Sequence, residues 1–416
     1  VGGVDFSASF NFTGTSHTDA GDYPADAWSF SGGMNYNDRS GTVHDHVDKA
    51  PVTATAGGGT AMFDGNTKTP SACVVSGAYT GDLACTNNPA SVGPNAGTTA
   101  IAAMVNGTTP GNFQIAYVPG SFTIDKATST TTMTFEPGPY VYRGTAFTAT
   151  ATVAGAGGLN AAVAPVSYSG DCVNVTAPGC TGTATYPGDG NHIGSTGNAS
   201  IAITPAAPTI TVTGGNFVYD GNPHPATGAA KGIGGVAVPG SFAFTYTPPG
   251  TAAIPVNPGS YSVIGVFSSS TANYTSGSAA AAITLNYGVC SAAIGPGSVI
   301  LPPINSDGSS VYPRKGGSTI PVKFRVCSAS GGAISNPAAV FAGTGGSLTM
   351  LSAVRGTIDN INETTGTDIP DVAFRWDASG QQWIFNMGTN NLSSGNTYLY
   401  RINLANGSIP FAIGVK

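Results

Sequence analysis

Charge is the first thing this 416-residue chain lacks. Only 8% of its residues are Asp, Glu, Lys or Arg, against about a quarter in ordinary soluble domains. The net charge of −6 is spread thinly and no basic run occurs, so nucleic acid is not an expected partner. Long apolar runs are missing too, and no stretch has the length needed to span a bilayer. Residue 1 does not begin a signal peptide. Helix formers such as Glu, Lys and Gln are scarce, which turns the composition toward strands. The catalytic signatures are absent as well: the sequence has no Gly-x-Ser-x-Gly, no His-Glu-x-x-His and no phosphate-binding glycine loop ahead of a helix. The expectation is a protein that is not an enzyme and carries no cofactor.

What the chain has is Gly (60), Pro (29) and short alternating runs. Thr209-Ile210-Thr211-Val212-Thr213 places Ile210 and Val212 on one face and threonines on the other. A turn cluster, Tyr219-Asp220-Gly221-Asn222-Pro223, separates it from a second run carrying Phe242, Phe244 and Tyr246. Strands of this length between such turns read as a small β-sandwich.

The same landmarks return along the chain. An Asn-aromatic corner occurs as Asn35-Tyr36, Asn112-Phe113, Asn191-His192 and Asn273-Tyr274, at spacings of 77, 79 and 82 residues. Closing runs ending in Ala50, Ala127 and Ala206 keep the same period. Markers that drift together predict tandem domains. The expected boundaries are 1–50, 51–127, 128–206, 207–286 and a different, larger sandwich over 287–416. The fold class is therefore all-β, tandem Ig-like sandwiches arranged as an extended rod. At about 3.3 Å per strand residue each unit spans roughly 30 to 40 Å, and five make roughly 150 to 200 Å.

The six cysteines fall by domain. Of the fifteen possible connectivities, only Cys73–Cys85, Cys172–Cys180 and Cys290–Cys327 keeps each bridge inside one unit. No Cys-x-x-C and no zinc-type spacing with His occurs, so disulfides and an oxidising, extracellular compartment are expected.

The repeats resemble the tandem bacterial Ig-like repeats of large secreted and surface proteins, including the Gly-rich MBG type, through Tyr219-Asp220-Gly221, Pro258-Gly259-Ser260-Tyr261 and Asn273-Tyr274. The third is similar to a related Ig-like subtype through Gly188-Asp189-Gly190-Asn191. The last module resembles the Pro-x-Lys-Phe domains through Pro321-Val322-Lys323-Phe324, with Gly395, Tyr398 and the closing Phe411 to Lys416. The resemblance implies a spacer, adhesive or assembly role outside a bacterial cell or on its surface, and it transfers no catalytic residue.

Residues 1–50 end like a repeat but begin too late for a whole sandwich, so the first unit is expected to lack its opening strands. Its exposed edge is expected at Val4, Phe6, Ala8, Phe10 and Phe12, covered either by residues upstream in the same polypeptide or by another copy of the chain, which is the expected partner. Strand complementation would run head to tail into a filament or surface layer. The apolar run Val299, Ile300 and Leu301 is the expected donor. The alternatives are an adhesin or carbohydrate-binding segment, with Trp376, Trp383, Tyr398 and Tyr400 as a platform for cell-surface glycans, and an accessory region of a secreted hydrolase. His44 and His46 share a strand face beside Asp45 and Asp48, but no third ligand is evident by spacing, so no metal is expected there. Asp189, Asn191, Asp220 and Asn222 have calcium-ligand chemistry, but Asp-Gly and Gly-Asn are what tight turns require, and turn formation is the expected role.

Overall fold

The computed structural model describes residues 3–314, 318–342, 346–355, 361–366 and 368–416. The described chain is built of short strands, with one single-turn α-helix at Pro337–Val340. It forms two compact units, Val1–Tyr140 with Ala146–Ile203, and Val141–Thr145 with Thr204–Lys416. The fold class is all-β, tandem sandwiches.

The first unit opens with a three-stranded antiparallel sheet made of β1 (Phe10–Asn11), β2 (Gly21–Phe30) and β3 (Arg39–Val47). Next come β4 (Ala50–Thr55), β5 (Gly59–Met62), β6 (Val74–Gly77), β7 (Ala84–Asn88), β8 (Gly97–Asn106), β9 (Phe113–Val118) and β10 (Gly120–Asp125). They make two sheets, β6-β4-β9 and β5-β10-β8-β7. Alternation turns Ala54, Ile101, Phe122 and Ile124 into the space between these sheets, where they are buried together. Two three-stranded sheets over 129–201 follow, enclosing Met133, Val153 and Ala184.

In the second unit, Val212, Tyr246, Val263, Ile283 and Leu285 form one core. A larger one over 300–415 includes Ile320, Val322, Phe324, Trp383, Ile402 and Ile413. Pro321 sits in the strand Thr319–Phe324, next to the strand start, where a missing N–H disturbs the ladder least.

One pairing recurs. An early strand lies parallel to the closing strand of its own module: β5 on β10, Gly215–Val218 on Gly277–Asn286, and Val311–Tyr312 on Ser408–Val415. Val141 makes the same parallel bridge to Thr204. In the first sheet, β3 is the closing strand and stands at the sheet's edge, with only β2 beside it among the described residues.

The three cysteine pairs are bonded as Cys73–Cys85, Cys172–Cys180 and Cys290–Cys327, with Cα separations of 5.5, 4.6 and 5.1 Å. Among the described residues no helix is long and apolar enough to cross a membrane.

Candidate functional site

The first sheet departs from the other modules in its burial. Residues 3–50 include no fully buried side chain, because no second sheet lies over this one among the described residues. One face collects the aromatics. Phe10 pairs across from Phe30, and their rings lie 4.9 Å apart, with Trp28 at 5.9 Å from Phe10. Trp28 lies over Gly41, where a Cβ would come within 3.0 Å of the indole nitrogen. Val43 shares this face through its pairing with Asp26 and remains 39% exposed.

The stretch Val4 to Phe12, expected as an open strand edge, has a different form. Only Phe10–Asn11 is a strand, held antiparallel on Phe30 and Ser29, and 3-10 turns flank it at Ser7–Ser9 and Thr13–Thr15. Asp5 and Asn11 carboxyl and amide oxygens accept the N–H groups of Ser7 and Thr13, and these local bonds favour turns over a ladder. Phe6 packs edge-on against Phe30 and Tyr36, while Val4, Ala8 and Phe12 are exposed. Both outer strands of the sheet are edges, the two-residue β1 and the nine-residue β3, and β3 is the longer of them.

The expected donor is also displaced. Ile300 and Leu301 pair with Phe324 and Lys323 and are buried in the final module's own core, leaving Val299 partly exposed beside them. An apolar run already paired inside its own sandwich cannot complete another. The glycan platform is corrected on the same ground: Trp383, Tyr398 and Tyr400 are buried, and Trp376 packs edge-on against Trp383 at 5.5 Å. Trp383 Nε1 donates to the Ile334 carbonyl, so its polar atom is satisfied inside the core.

Three of the five histidines belong to the first sheet and the loop before β2, and they divide between its faces. On one face, His44 Nε2 meets the Asp22 carboxylate, and His46 lies between Asp22 and Asp48, at 3.4 and 3.1 Å. All four are solvent-exposed. Its hydrogen bond to Asp22 raises the His44 pKa above the usual imidazole value, and the same contact lowers that of Asp22. On the other face, His17, Asp26 and Asp45 converge, their ligand-type atoms within 4.8 Å of one another. His17 Nε2 is 2.5 Å from Asp26 Oδ2, and the imidazole stacks on Tyr23 with ring centroids 3.4 Å apart.

Period-two reading misses this second cluster. It puts Asp22 and Asp26 on one face, but the β2–β3 register shifts between Tyr23 and Asp26. The irregularity spans Pro24-Ala25 and re-aims Asp26 toward Tyr23 and Asp45, as β-bulges do. Pro24 inside the strand was the available signal.

Asp189 and Asp220 work in turns. Asp189 Oδ1 accepts the N–H groups of Asn191 and His192. Asp220 Oδ1 accepts the N–H of Asn222, which with the Asn222 amide lowers the Asp220 pKa to about 2. Asn191 has a further task. Its Oδ1 accepts the Ala96 N–H at 2.8 Å, and its carbonyl accepts the Ala127 N–H at 2.9 Å. Asn112 repeats the first contact with Ala20 N–H at 2.9 Å and donates to Asp19 at 2.7 Å. At Asn112 and Asn191 the Asn-aromatic corner is thus a joint: the side chain reaches back to the preceding module.

No protein-family model matches this sequence, and no curated protein matches it. Solved structures with some likeness are the protocadherin gammaB4 extracellular domain, the human desmocollin-1 ectodomain and the N-terminal eight Ig domains of the Down syndrome cell adhesion molecule. Their identities are 11%, 8% and 13%, with TM-scores of 0.22, 0.22 and 0.20. The matches cover 95%, 95% and 94% of this chain, and 72%, 85% and 59% of the respective structures.

Proposed function

We propose that this is an extracellular, non-catalytic structural protein, a multi-domain spacer that assembles with other copies of itself through its first sheet. The observation that carries the reading is the state of that sheet. Its aromatic face, with Phe10, Trp28, Phe30 and Val43, has no buried member, and among the described residues no parallel strand lies on the β3 edge where later modules have one. Exposed edges of this kind template pairing with another chain, and contiguous apolar faces mark interaction surfaces. A head-to-tail contact propagates into a filament or layer. Three disulfides support an oxidising compartment, and the Ig-like and Pro-x-Lys-Phe resemblance points to a bacterial surface.

The test is sedimentation velocity of the full chain over a hundredfold concentration range, beside Val43→Lys. The expected result is concentration-dependent assembly that the lysine, a typical edge-blocking residue, abolishes. A protein that stays monomeric throughout, or a variant that assembles equally well, overturns the reading.

A further inference from the structure

We propose that His17, Asp26 and Asp45 form a binding site for one divalent transition-metal ion, for which zinc is the natural probe. The inference is independent of the assembly reading. Three ligand-type atoms, one imidazole nitrogen and two carboxylate oxygens, already lie within 4.8 Å of one another. A zinc ion holds such atoms at about 2.0–2.2 Å from itself and therefore about 3.4 Å from one another, so side-chain rotation has to part His17 Nε2 from Asp26 Oδ2, now 2.5 Å apart, to admit the ion among the three.

Three features of the surroundings favour a ligand over an ordinary surface ion pair. The first is position. The cluster sits on the aromatic side of the sheet, and the His17 and Asp26 side chains are only 18% and 12% exposed. The second is charge. Two carboxylate side chains converge on one imidazole, so acidic groups outnumber the basic one, and opposite charge at close range is attractive. The third is construction. The register shift across Pro24-Ala25 directs Asp26 to this face, and stacking on Tyr23 fixes the His17 ring.

The donor set selects the class of ion. Imidazole with carboxylates suits zinc and its neighbours, whereas calcium and magnesium prefer oxygen alone. Three protein ligands leave the remaining positions to water. Such an ion ties the segment after the Thr13–Thr15 turn to both long strands of the sheet. The pairing of His44 and His46 with Asp22 on the opposite face takes no part.

The experiment titrates chelator-treated full-length protein with ZnCl2 by calorimetry, with CaCl2 in parallel. It includes Asp26→Asn, Asp45→Asn and the double variant His44→Thr/His46→Thr. The asparagines are near-isosteric at partly exposed positions, and their circular dichroism is compared with that of the parent. The expected result is one zinc per chain, calcium at least tenfold weaker, at least tenfold loss in each asparagine variant and no loss in the histidine double variant. Absence of stoichiometric zinc, calcium binding tighter than zinc, unchanged affinity in both asparagine variants, or loss confined to the histidine double variant would each overturn the assignment.

Discussion

Asn191 grips Ala96. Its side-chain oxygen accepts the Ala96 N–H at 2.8 Å across 95 positions of sequence, while its own carbonyl takes the N–H of Ala127. One residue thereby fixes both the end of the second module and the linker that leaves it. Ala50 is paired with Phe113, Ala127 with His192 and Ala206 with Tyr274, each in parallel register. These are the residues after Asn112, Asn191 and Asn273.

Replacing Asn191 with Ala removes the side-chain bonds and leaves the Ala96 N–H without its acceptor. A net cost of about 1 kcal/mol is expected, with hydrogen exchange at Ala96 accelerated and exchange in distant core strands unchanged. Asn112→Ala should do the same at Ala20. Unaltered exchange at Ala96 would mean that the joint is held by other contacts.

The joint between the second and third modules also titrates. His192 is buried, donates through Nε2 to the Ala156 carbonyl and through Nδ1 to Asp189, and meets the Phe63 ring edge-on at 5.2 Å. With acceptors at both nitrogens the imidazolium is favoured, and the Ala156 bond is the largest cause of a pKa raised above 6.5. A raised folded value means stability that is complete below pH 6.5 and is lost as pH rises through the folded pKa. Asp189, lowered chiefly by its bond to His192, adds stability that is present above 3.8 and is lost as pH falls through its folded value. Melting temperature measured against pH should decline as pH rises past 6.5 in the parent and run flatter in His192→Gln. Parallel curves for the two proteins would exclude the imidazolium.

The periodic features were readable in the sequence because each is a local necessity. Asparagines at a joint, glycine turns and alternating strands repeat wherever the module repeats, and cysteines confined to one module bridge within it. Other features depend on tertiary context. Whether Trp383 faces solvent or core depends on the partner sheet, and Ile300-Leu301 looks like a free strand until Phe324 and Lys323 are placed beside it. The His17 cluster was hidden for another reason: the irregularity at Pro24-Ala25 inverts the parity on which face assignment depends.

The disulfides should differ in weight. Closing a loop of 37 residues at Cys290–Cys327 limits the unfolded chain by about 4 kcal/mol, against about 2.5 kcal/mol for the 8-residue separation of Cys172–Cys180. Calorimetry of the two Cys→Ala double variants should show the larger loss for the Cys290/Cys327 pair. The reverse order would show that native contacts, rather than chain entropy, set the contribution.

The central claim is that another copy of the chain completes the first sheet. Electron cryo-microscopy of the assembled protein tests it most directly, by showing what lies beside β3 and over Phe10, Trp28 and Phe30. The account predicts a strand from a neighbouring copy running parallel to Val43–Val47, with the aromatic face covered. A monomeric particle with that edge bare to solvent, or an edge paired only with residues of its own polypeptide, would contradict it.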